Sequence, residues 1–336
     1  MVVEAQQTMV LKGGVSTTPV NPDLNFRLRL DIAGANIRIQ DKLITDEETG
    51  RFYVDRESGL DMDFEIVKTA DNIPNESTIT IWNLSDSTYQ NIVQNGTAVE
   101  LYAAWGKDEY SLMFRGYPYN TVKKSKSSTQ TSSQGFLRQG YNASKKGRND
   151  IPTVLSLVDG KTQYEGATIN KTYKNSVSTE TIIKDLIESF GVPIGVVDEI
   201  EHQTLDSYIA NGKTVKEMNY FSKRLGFKWM ITNGVFYLYN GKTPQNPYGI
   251  KLNSDNSGTP QKQNEQFKVT NLKTGKTEIK NAYMIPAKLM PFLNPMTYCE
   301  CDFGESLQGV KYIYKVKHKG NNCGTVAESE VYIVDL

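Results

Sequence analysis

The stretch that decides the fold is "PNESTITIWNLS", residues 74–85, in which apolar and polar side chains alternate. Ile79 and Ile81 fall on one face of an extended chain, whereas the threonines and Trp82 fall on the other. β-Branched and aromatic residues are typical of a strand that is buried on one side. The pattern predicts a strand that stops at the Asn-Leu-Ser-Asp sequence of residues 83–86.

A short helix is predicted directly after this strand, in "SDSTYQNIV" at residues 85–93. Ser85 and Ser87 are both candidate N-caps, because a serine hydroxyl can accept a hydrogen bond from a free N–H group of the first turn. Ser87 is followed by Gln90 at the spacing of a capping box. Strands are predicted before and after this segment, so the helix would lie between two strands and cover one end of the barrel that they form.

Further stretches alternate in the same way and complete a first sheet. They are "NFRLRLDIAG" (25–34), a hairpin-like segment with "EETG" as its turn (40–60), "DMDFEIVKT" (61–69), "TAVELYAAW" (97–105) and "YSLMFRGY" (110–117). Met62, Phe64 and Ile66 share one face of their strand, which marks the side that packs against a core. The order of strands, loops and one short helix predicts an antiparallel sheet that forms a small barrel.

The composition is that of an ordinary globular protein, long enough for two domains. The 336 residues are 38% hydrophobic and 23% charged, and 38 basic residues balance 38 acidic ones. This balance gives no overall attraction to nucleic acid or to an acidic membrane. The N-terminal stretch has no signal-peptide pattern, no apolar run reaches the ~18 residues of a membrane span, and three cysteines are too few for a disulfide framework. We therefore expect assembly in a reducing cytoplasm.

Two amphipathic helices are predicted in the middle of the chain. "SVSTETIIKDLIESFGV" has Ser178 as its N-cap and Gly191 at its end, and "TVKEMNYFSKRLGF" ends at Gly226. "KWMITNGVFYLYNG" (228–241) follows as a hairpin, because Asn-Gly between alternating residues is the strongest short hairpin signal. From residue 248 onward the pattern is again that of strands, which predicts a second small barrel.

The predicted fold class is mainly β (α+β), with two small antiparallel β-barrels and a helical middle segment. The predicted domains are an N-terminal arm (1–23), a first β-barrel domain (24–176) with a basic mobile insertion (121–150), a helical middle segment (177–228) and a second β-barrel domain (229–336). The 19 tyrosines fit this assignment, since tyrosine is favoured in strands.

The predicted insertion is strongly basic. It is rich in Ser, Thr, Gln and Lys and has little apolar periodicity, and its single acid is Asp150. Its seven basic residues are Lys123, Lys124, Lys126, Arg138, Lys145, Lys146 and Arg148. A solvated loop is the simplest interpretation, and contact with phosphate groups or with an acidic partner is the alternative. Single-strand nucleic-acid binding is poorly supported, because few aromatic residues are interleaved with the charges.

Motifs that carry chemistry are sparse. The chain has two histidines, and it contains no nucleophile elbow, Walker loop, dinucleotide glycine fingerprint or HExxH sequence. Carboxylate pairs are abundant, but none is distinguished by an apolar setting, so glycosidase chemistry is left open without support. We expect a protein that is not an enzyme and that needs no cofactor.

One group of residues could ligate zinc: Cys299, Cys301, His318 and Cys323. Cys299 and Cys301 lie two residues apart on a predicted strand, so their sulfurs share a face. Zinc sites commonly use a CxxC spacing, which is missing here. Structural cysteines in a strand are the favoured interpretation, and the zinc site stays a minor hypothesis.

Several of these stretches resemble the baseplate central hub proteins of contractile bacteriophage tails. In "MDFEIVKTADNIPNESTITIWNLSDSTYQNI" (62–92), a strand ending in Lys-Thr is followed by Pro-Asn, a second strand and an Asn-Leu-Ser turn into a short helix, as in that family. "FRGYPYNTV", "DIPTVLSLVDG", the middle helices and hairpin, "LMPFLNPMTYCECDF" and "YIYKVKHKGNN" are similar to later parts of the family, including a Val-x-His-x-Gly turn around His318. The likeness covers about residues 24–336, and the order of the pieces is its most specific feature.

The resemblance implies a structural virion protein of the tail baseplate, assembled in the host cytoplasm. Its two barrels would be tail-tube-like, so that a homotrimer forms a pseudo-sixfold ring that adapts the tail tube to the spike. This ring would surround the channel through which DNA passes. The implied partners are the chain itself, the tail tube protein and the spike protein, with tape-measure and baseplate wedge proteins as further candidates. No membrane partner is implied, and His318 would support a turn.

Two other functions remain open at this point. One is a tail-associated β-barrel binding module that recognises a receptor or a carbohydrate, for which Trp82, Trp105 and Trp229 are too scattered to decide. The other is a hydrolase or a zinc protein, which one bound zinc ion per chain would support.

The basic insertion predicts a protease-sensitive site. Trypsin cleaves after lysine and arginine, so limited digestion of the free protein is expected to cut first within residues 121–150. Mass spectrometry of the fragments identifies the cut positions. If this segment resists digestion while the rest of the chain is cut, it is folded or docked and the prediction is wrong.

Overall fold

The computed structural model describes residues 26–45, 52–56, 60–70, 73–123, 151–240, 249–270, 277–322 and 327–334. Within these ranges the chain forms twenty-one β-strands, four α-helices and a short 3-10 helix. The arm predicted at residues 1–23 and residues 124–150 of the predicted insertion lie outside the described residues. In the described part, no helix is both long enough and apolar enough to cross a membrane.

The N-terminal part of the chain forms a unit of eight strands and one helix. Its elements are β1 (Phe26–Ile32), β2 (Ile37–Thr45), β3 (Phe52–Arg56), β4 (Met62–Thr69), β5 (Glu76–Trp82), α1 (Asp86–Asn95), β6 (Val99–Trp105), β7 (Ser111–Lys123) and β8 (Pro152–Val158). Hydrogen bonds place the strands in the order β3-β2-β1-β6-β7-β8-β5-β4, with each neighbouring pair antiparallel. The pairing of β2 with β3 confirms the predicted hairpin, whose "EETG" turn lies outside the described residues.

The turn after β5 is built by Asn83 and Ser85. Asn83 has a positive φ of 58°, and its side-chain oxygen accepts the Ile151 N–H at 3.0 Å, which ties the turn to the start of β8. Ser85 is the N-cap of α1, since its hydroxyl accepts the Thr88 N–H at 3.1 Å. Ser87, the other predicted candidate, lies inside the first turn of the helix, so the capping box expected there is not the cap.

An apolar core fills the inside of this first unit. Ile79 and Ile81 of β5 are fully buried, as their alternation predicts, and so are the inward residues of β4 and β6. α1 covers the core with Ile92. Burial of each such aliphatic side chain contributes about 1.5–3 kcal/mol, so the face set by period two is the main source of this unit's stability. Leu289, from the C-terminal part of the chain, belongs to the same core.

The middle of the chain forms a second, mixed unit. Its elements are α2 (Lys161–Gly166), β9 (Thr168–Tyr173), β10 (Val177–Ser178), α3 (Thr179–Ser189), β11 (Ile194–Val197), β12 (Thr204–Leu205), β13 (Tyr208–Lys213), α4 (Thr214–Leu225), β14 (Lys228–Thr232) and β15 (Val235–Tyr239). The apolar faces of α3 and α4 pack with β9, β14 and β15 around one core that runs from Tyr164 to Leu238. This core crosses the predicted domain boundaries at residues 176 and 228.

The predicted helix and turn signals of this unit are confirmed. Ser178 caps α3 by accepting the Glu180 N–H at 3.1 Å, and α4 ends where Gly226 adopts a φ of 75°. Asn233 and Gly234 both have positive φ, 54° and 72°, which is the backbone of a two-residue hairpin turn between β14 and β15.

The C-terminal part of the chain returns to strands. Its elements are β16 (Lys251–Asn253), β17 (Gln261–Thr270), β18 (Thr277–Lys288), β19 (Thr297–Asp302), the 3-10 helix (Gly304–Ser306), β20 (Gln308–Asn321) and β21 (Ala327–Val334). The strands β17, β18, β21 and β20 pair in this order, and β19 and β16 continue from β20. The predicted class, mainly β and antiparallel with a helical middle, is confirmed, with parallel pairs at β11–β15 and β16–β19.

The long strand β20 joins the two β units. Along one edge it pairs with β21, and along the other it changes partner near its centre. Residues 308–313 pair with β19, and residues 315–321 pair with β4 of the first unit. Strands β1–β8 and β16–β21 are therefore part of one continuous hydrogen-bonded sheet, whereas β14 and β15, which fall in the predicted second barrel domain, form a separate sheet with β11.

Asn322, just after β20, fastens this junction with its side chain. Its amide oxygen accepts the Met62 N–H at 2.8 Å, and its amide nitrogen donates to the Leu60 carbonyl at 3.1 Å and to Asp41 at 3.2 Å. The Asp41 carboxylate also accepts the Leu28 N–H at 2.9 Å. One buried amide thus connects the last part of the chain with residues 60–62 and with β2 and, through Asp41, with β1.

Substitution of Asn322 by alanine tests this connection. Asn322→Ala deprives the buried Met62 N–H of its acceptor, so we expect the free energy of unfolding to fall by about 1–3 kcal/mol. Urea titration followed by tryptophan fluorescence measures the change. The matched control is Asn170→Ala on the exposed face of β9, with an expected change within about 0.5 kcal/mol. Equal effects of the two substitutions would contradict the structural role of Asn322.

Candidate functional site

The cysteines considered for zinc lie side by side in the C-terminal core. Cys299 and Cys301 are buried on β19 with their sulfurs 3.7 Å apart, and both are free thiols. The neighbouring thiol and burial raise the pKa of Cys299 above its ordinary value, so the protonated form is favoured. Cys323 lies outside the described residues. Among the residues that the structure describes, no three His, Cys, Asp or Glu side chains are grouped to hold a metal ion.

His318 is a buried strand residue. It was expected to support a turn, but it lies within β20, opposite Ile66 of β4. Its Nδ1 is 2.9 Å from the Ser329 hydroxyl on β21, and that hydroxyl accepts the Met290 N–H at 3.0 Å. A serine hydroxyl has one proton and two lone pairs, so it can bond both the Met290 N–H and Nδ1 of His318. Burial and the charge of Lys68 lower the pKa of His318 to about 3.

Lys68 lies two residues after Ile66, on the same inward face of β4, and is fully buried. Its ammonium donates to the side-chain oxygen of Asn294 at 2.8 Å. Burial lowers the pKa of Lys68 to about 8, against the opposing charge of Asp159. A fully buried lysine is rare without a partner. The hydrogen bond to Asn294 and the negative charge of Asp159 offset the free-energy cost of burying this ammonium.

Asp159 supplies the negative charge from the end of β8. Its carboxylate accepts the Asn233 N–H at 2.9 Å, which links β8 to the β14–β15 turn. Burial raises the pKa of Asp159 to about 6, while the hydrogen bond from Asn233 and the charge of Lys68 limit the rise. We call the group formed by Lys68, Asp159, Asn233, Asn294, His318 and Ser329 the polar junction.

The polar junction lies where the three parts of the chain meet. Lys68 and Asp159 belong to the first unit, Asn233 belongs to the middle unit, and the remaining members belong to the C-terminal part. Lys68, Asp159, His318 and Ser329 are buried and the two asparagines are partly exposed. The burial of the ionisable groups fits positioning of the three cores better than reaction with a substrate. Sequence reasoning missed Lys68, although it follows Met62, Phe64 and Ile66 at the next step of the same period-two face.

Stacked tyrosines form a second contact between the middle unit and the C-terminal sheet. Tyr239 of β15 stacks on Tyr312 of β20, with ring centroids 5.5 Å apart and planes at 18°. The hydroxyls of Tyr239 and Tyr298 are hydrogen bonded to each other. With the polar junction, this contact attaches the middle unit to the continuous sheet.

Of the predicted basic partner site, Lys123 alone lies within the described residues. Lys123 is the last residue of β7, paired with Thr153 of β8. The other six candidates, Lys124, Lys126, Arg138, Lys145, Lys146 and Arg148, lie outside the described residues. Their contact with a phosphate group or an acidic partner stays a prediction.

Comparison with known proteins gives a likeness of fold. No family model matches the chain, and no curated protein matches its sequence. The 43 kDa tail protein of prophage MuSo2 from Shewanella oneidensis aligns over 92% of this chain and 97% of its own, with a TM-score of 0.57 and 11% identity. A tail protein from Neisseria meningitidis MC58 aligns over 93% of this chain and 97% of its own, with a TM-score of 0.53 and 9% identity.

A third solved structure extends the likeness to secretion machinery. It is an Escherichia coli component of the type VI secretion system, described as structurally similar to the bacteriophage T4 tail proteins gp27 and gp5. It aligns over 91% of this chain and 76% of its own, with a TM-score of 0.51 and 9% identity. The chain therefore has the fold of phage tail proteins. The resemblance drawn from the sequence, to a hub-like tail protein, is confirmed at the level of fold.

The polar junction predicts a histidine-dependent loss of stability in acid. Because the folded protein binds a proton at His318 only near pH 3, whereas an unfolded histidine titrates near pH 6.5, the free energy of unfolding falls as the pH drops through this window. Asp159 opposes this trend between its ordinary pKa of 3.8 and about 6, since its folded carboxyl binds the proton more readily.

Comparison of His318→Gln with the parent chain isolates the histidine. Glutamine retains a hydrogen-bonding partner for Ser329, so the variant is expected to lose the acid-sensitive component. Between about pH 6 and pH 4 the parent should lose up to about 1.4 kcal/mol per pH unit more than the variant in urea titrations. His202→Gln, at the other and exposed histidine, is the control and should follow the parent. Parallel pH profiles for the parent and His318→Gln would contradict the assignment.

Proposed function

We propose that this protein is the baseplate hub of a contractile phage tail, a structural subunit that forms a trimeric, pseudo-sixfold ring. The ring adapts the tail tube to the spike and surrounds the DNA channel. The observation that carries the proposal is the fold itself, which aligns with tail proteins over more than nine-tenths of the chain.

The continuous sheet supports this role. A tube-to-spike adaptor carries load between two differently symmetric parts, so its two β units need a fixed relative orientation. The pairing of β4 with β20 and the polar junction supply that rigidity, because backbone hydrogen bonds and a buried charged group resist sliding of one unit against the other.

The outer strands of the sheet support association of copies. In the described ranges, β3 pairs with β2 alone and β17 pairs with β18 alone, so these two are the outer strands of the described sheet. Open edges are hazards for a monomer and are normally covered. Closure of a ring of identical chains covers edges through repeated head-to-tail contacts. We assign no individual interface residues.

A structural role also fits the interior chemistry. Lys68, Asp159, His318 and the paired thiols are buried, which fits a role in stabilising the fold. The proposal therefore places the protein in the virion tail as a non-enzymatic component. Its proposed partners are its own copies, the tail tube protein and the spike protein, with tape-measure and wedge proteins as further contacts.

The mass of the protein in solution tests the proposal. Three chains of 37.8 kDa give 113.4 kDa, and light scattering is expected to find this mass for the protein alone or with its spike protein. An unrelated β-sheet protein mixed with the spike serves as the control for non-specific association. A chain that stays monomeric and does not bind the spike would contradict the hub. That result would favour a tail-associated binding module for a receptor or a carbohydrate.

A further inference from the structure

A basic groove runs along the exposed side of α4. It has a volume of 710 Å³, and its lining includes Lys213, Lys216, Lys223 and Tyr220. α4 buries its other side in the middle core through Met218 and Phe221. The groove therefore lies on the solvent side of a helix that is itself firmly held.

Two lysines of the groove are available to a ligand. Lys216 and Lys223 are exposed, and within the described part of the chain neither has a carboxylate partner. They lie two helical turns apart, about 10 Å along the axis of α4. Lys213, by contrast, donates to the backbone carbonyl of Glu165 and fixes one wall of the groove.

An aromatic ring is held between the two lysines. Tyr220 is 45% exposed, and its ring stacks on Tyr208 with centroids 6.1 Å apart and planes at 14°. Its hydroxyl accepts a hydrogen bond from Arg224 at 2.9 Å, and Tyr208 is fixed in turn by Glu217. A ring positioned in this way loses little conformational freedom when a ligand covers it.

We propose that this groove binds an acidic, amphipathic segment of a partner protein. The segment would place two carboxylates about 10 Å apart, against Lys216 and Lys223, and an apolar side chain between them, against Tyr220 and Val215. A helix with acidic residues at i and i+7 and a leucine at i+3 or i+4 meets this requirement. The site goes beyond the proposed hub, since it needs one copy of the chain and no ring.

The lining favours a protein over a nucleic acid. Glu165 also lines the groove, so anionic groups are favoured at the two exposed lysines and not along its whole length, as a chain of phosphates would require. Val215 and Tyr164 offer apolar contacts that a sugar-phosphate backbone does not use. The chain as a whole has no net charge, so it lacks the field that normally gathers nucleic acid.

The test uses the full-length protein and fluorescently labelled synthetic peptides. The probe is a helical peptide with glutamates at i and i+7 and leucines at i+3 and i+4, and its control is a scrambled peptide of the same composition. Fluorescence anisotropy is expected to show binding of the probe and about tenfold weaker binding of the scrambled peptide. The affinity should fall as salt is added, since the two contacts are exposed ion pairs.

Charge reversal assigns the binding to the groove. Lys216→Glu with Lys223→Glu should weaken probe binding about tenfold or more, whereas a peptide with lysines in place of the glutamates should bind this variant better than the parent. The matched control is Lys174→Glu with Lys184→Glu, which changes the net charge equally at exposed lysines outside the groove. Unchanged circular dichroism and melting temperature confirm that both variants are folded.

Three results would overturn the proposal. One is that the parent does not bind the probe, and another is that the groove variant and the control variant bind it equally. The third is that an oligothymidylate binds the groove more tightly than the probe, which would make it a nucleic-acid surface. None of these results depends on the trimer, so failure here and failure of the hub are distinguishable.

Discussion

The pairing of β4 with the second half of β20 is the constraint on which the rest of the structure depends. β20 begins as a partner of β19 and ends as a partner of β4, so a single strand belongs to both β units. The residues joined near this seam, such as Met62 and Asn322, are 260 positions apart in sequence. Closing such a distance costs chain entropy, which the backbone hydrogen bonds of the seam and the cores on either side must offset.

The polar junction follows from that pairing. Because side chains of a strand alternate between faces, extending β4 to Thr69 places Lys68 on the same buried face as Met62, Phe64 and Ile66. A buried ammonium is unfavourable unless it is solvated by protein groups, and Asn294 and Asp159 provide this. The same group of residues joins all three units, so the buried ammonium lies where their relative orientation is set.

The buried and the exposed parts of the molecule would contribute to the proposed function in different ways. Buried contacts hold the two β units and the helical unit together through the β4–β20 pairing and the stacked tyrosines. The outside carries the features that can distinguish partners: the outer strands β3 and β17, and the basic groove of α4.

The sequence by itself determined the local structure. Period-two alternation placed β5 and its neighbours, Ser178 and Gly226 marked helix ends, and Asn233-Gly234 marked a hairpin, because each signal depends on a few adjacent residues. Only the tertiary structure decided that β4 pairs with β20, that His318 is a strand residue bonded to Ser329, and that Lys68 donates to Asn294. These facts join residues far apart in the chain. Local periodicity states which face of a strand is buried, but not which distant strand or charge will meet it.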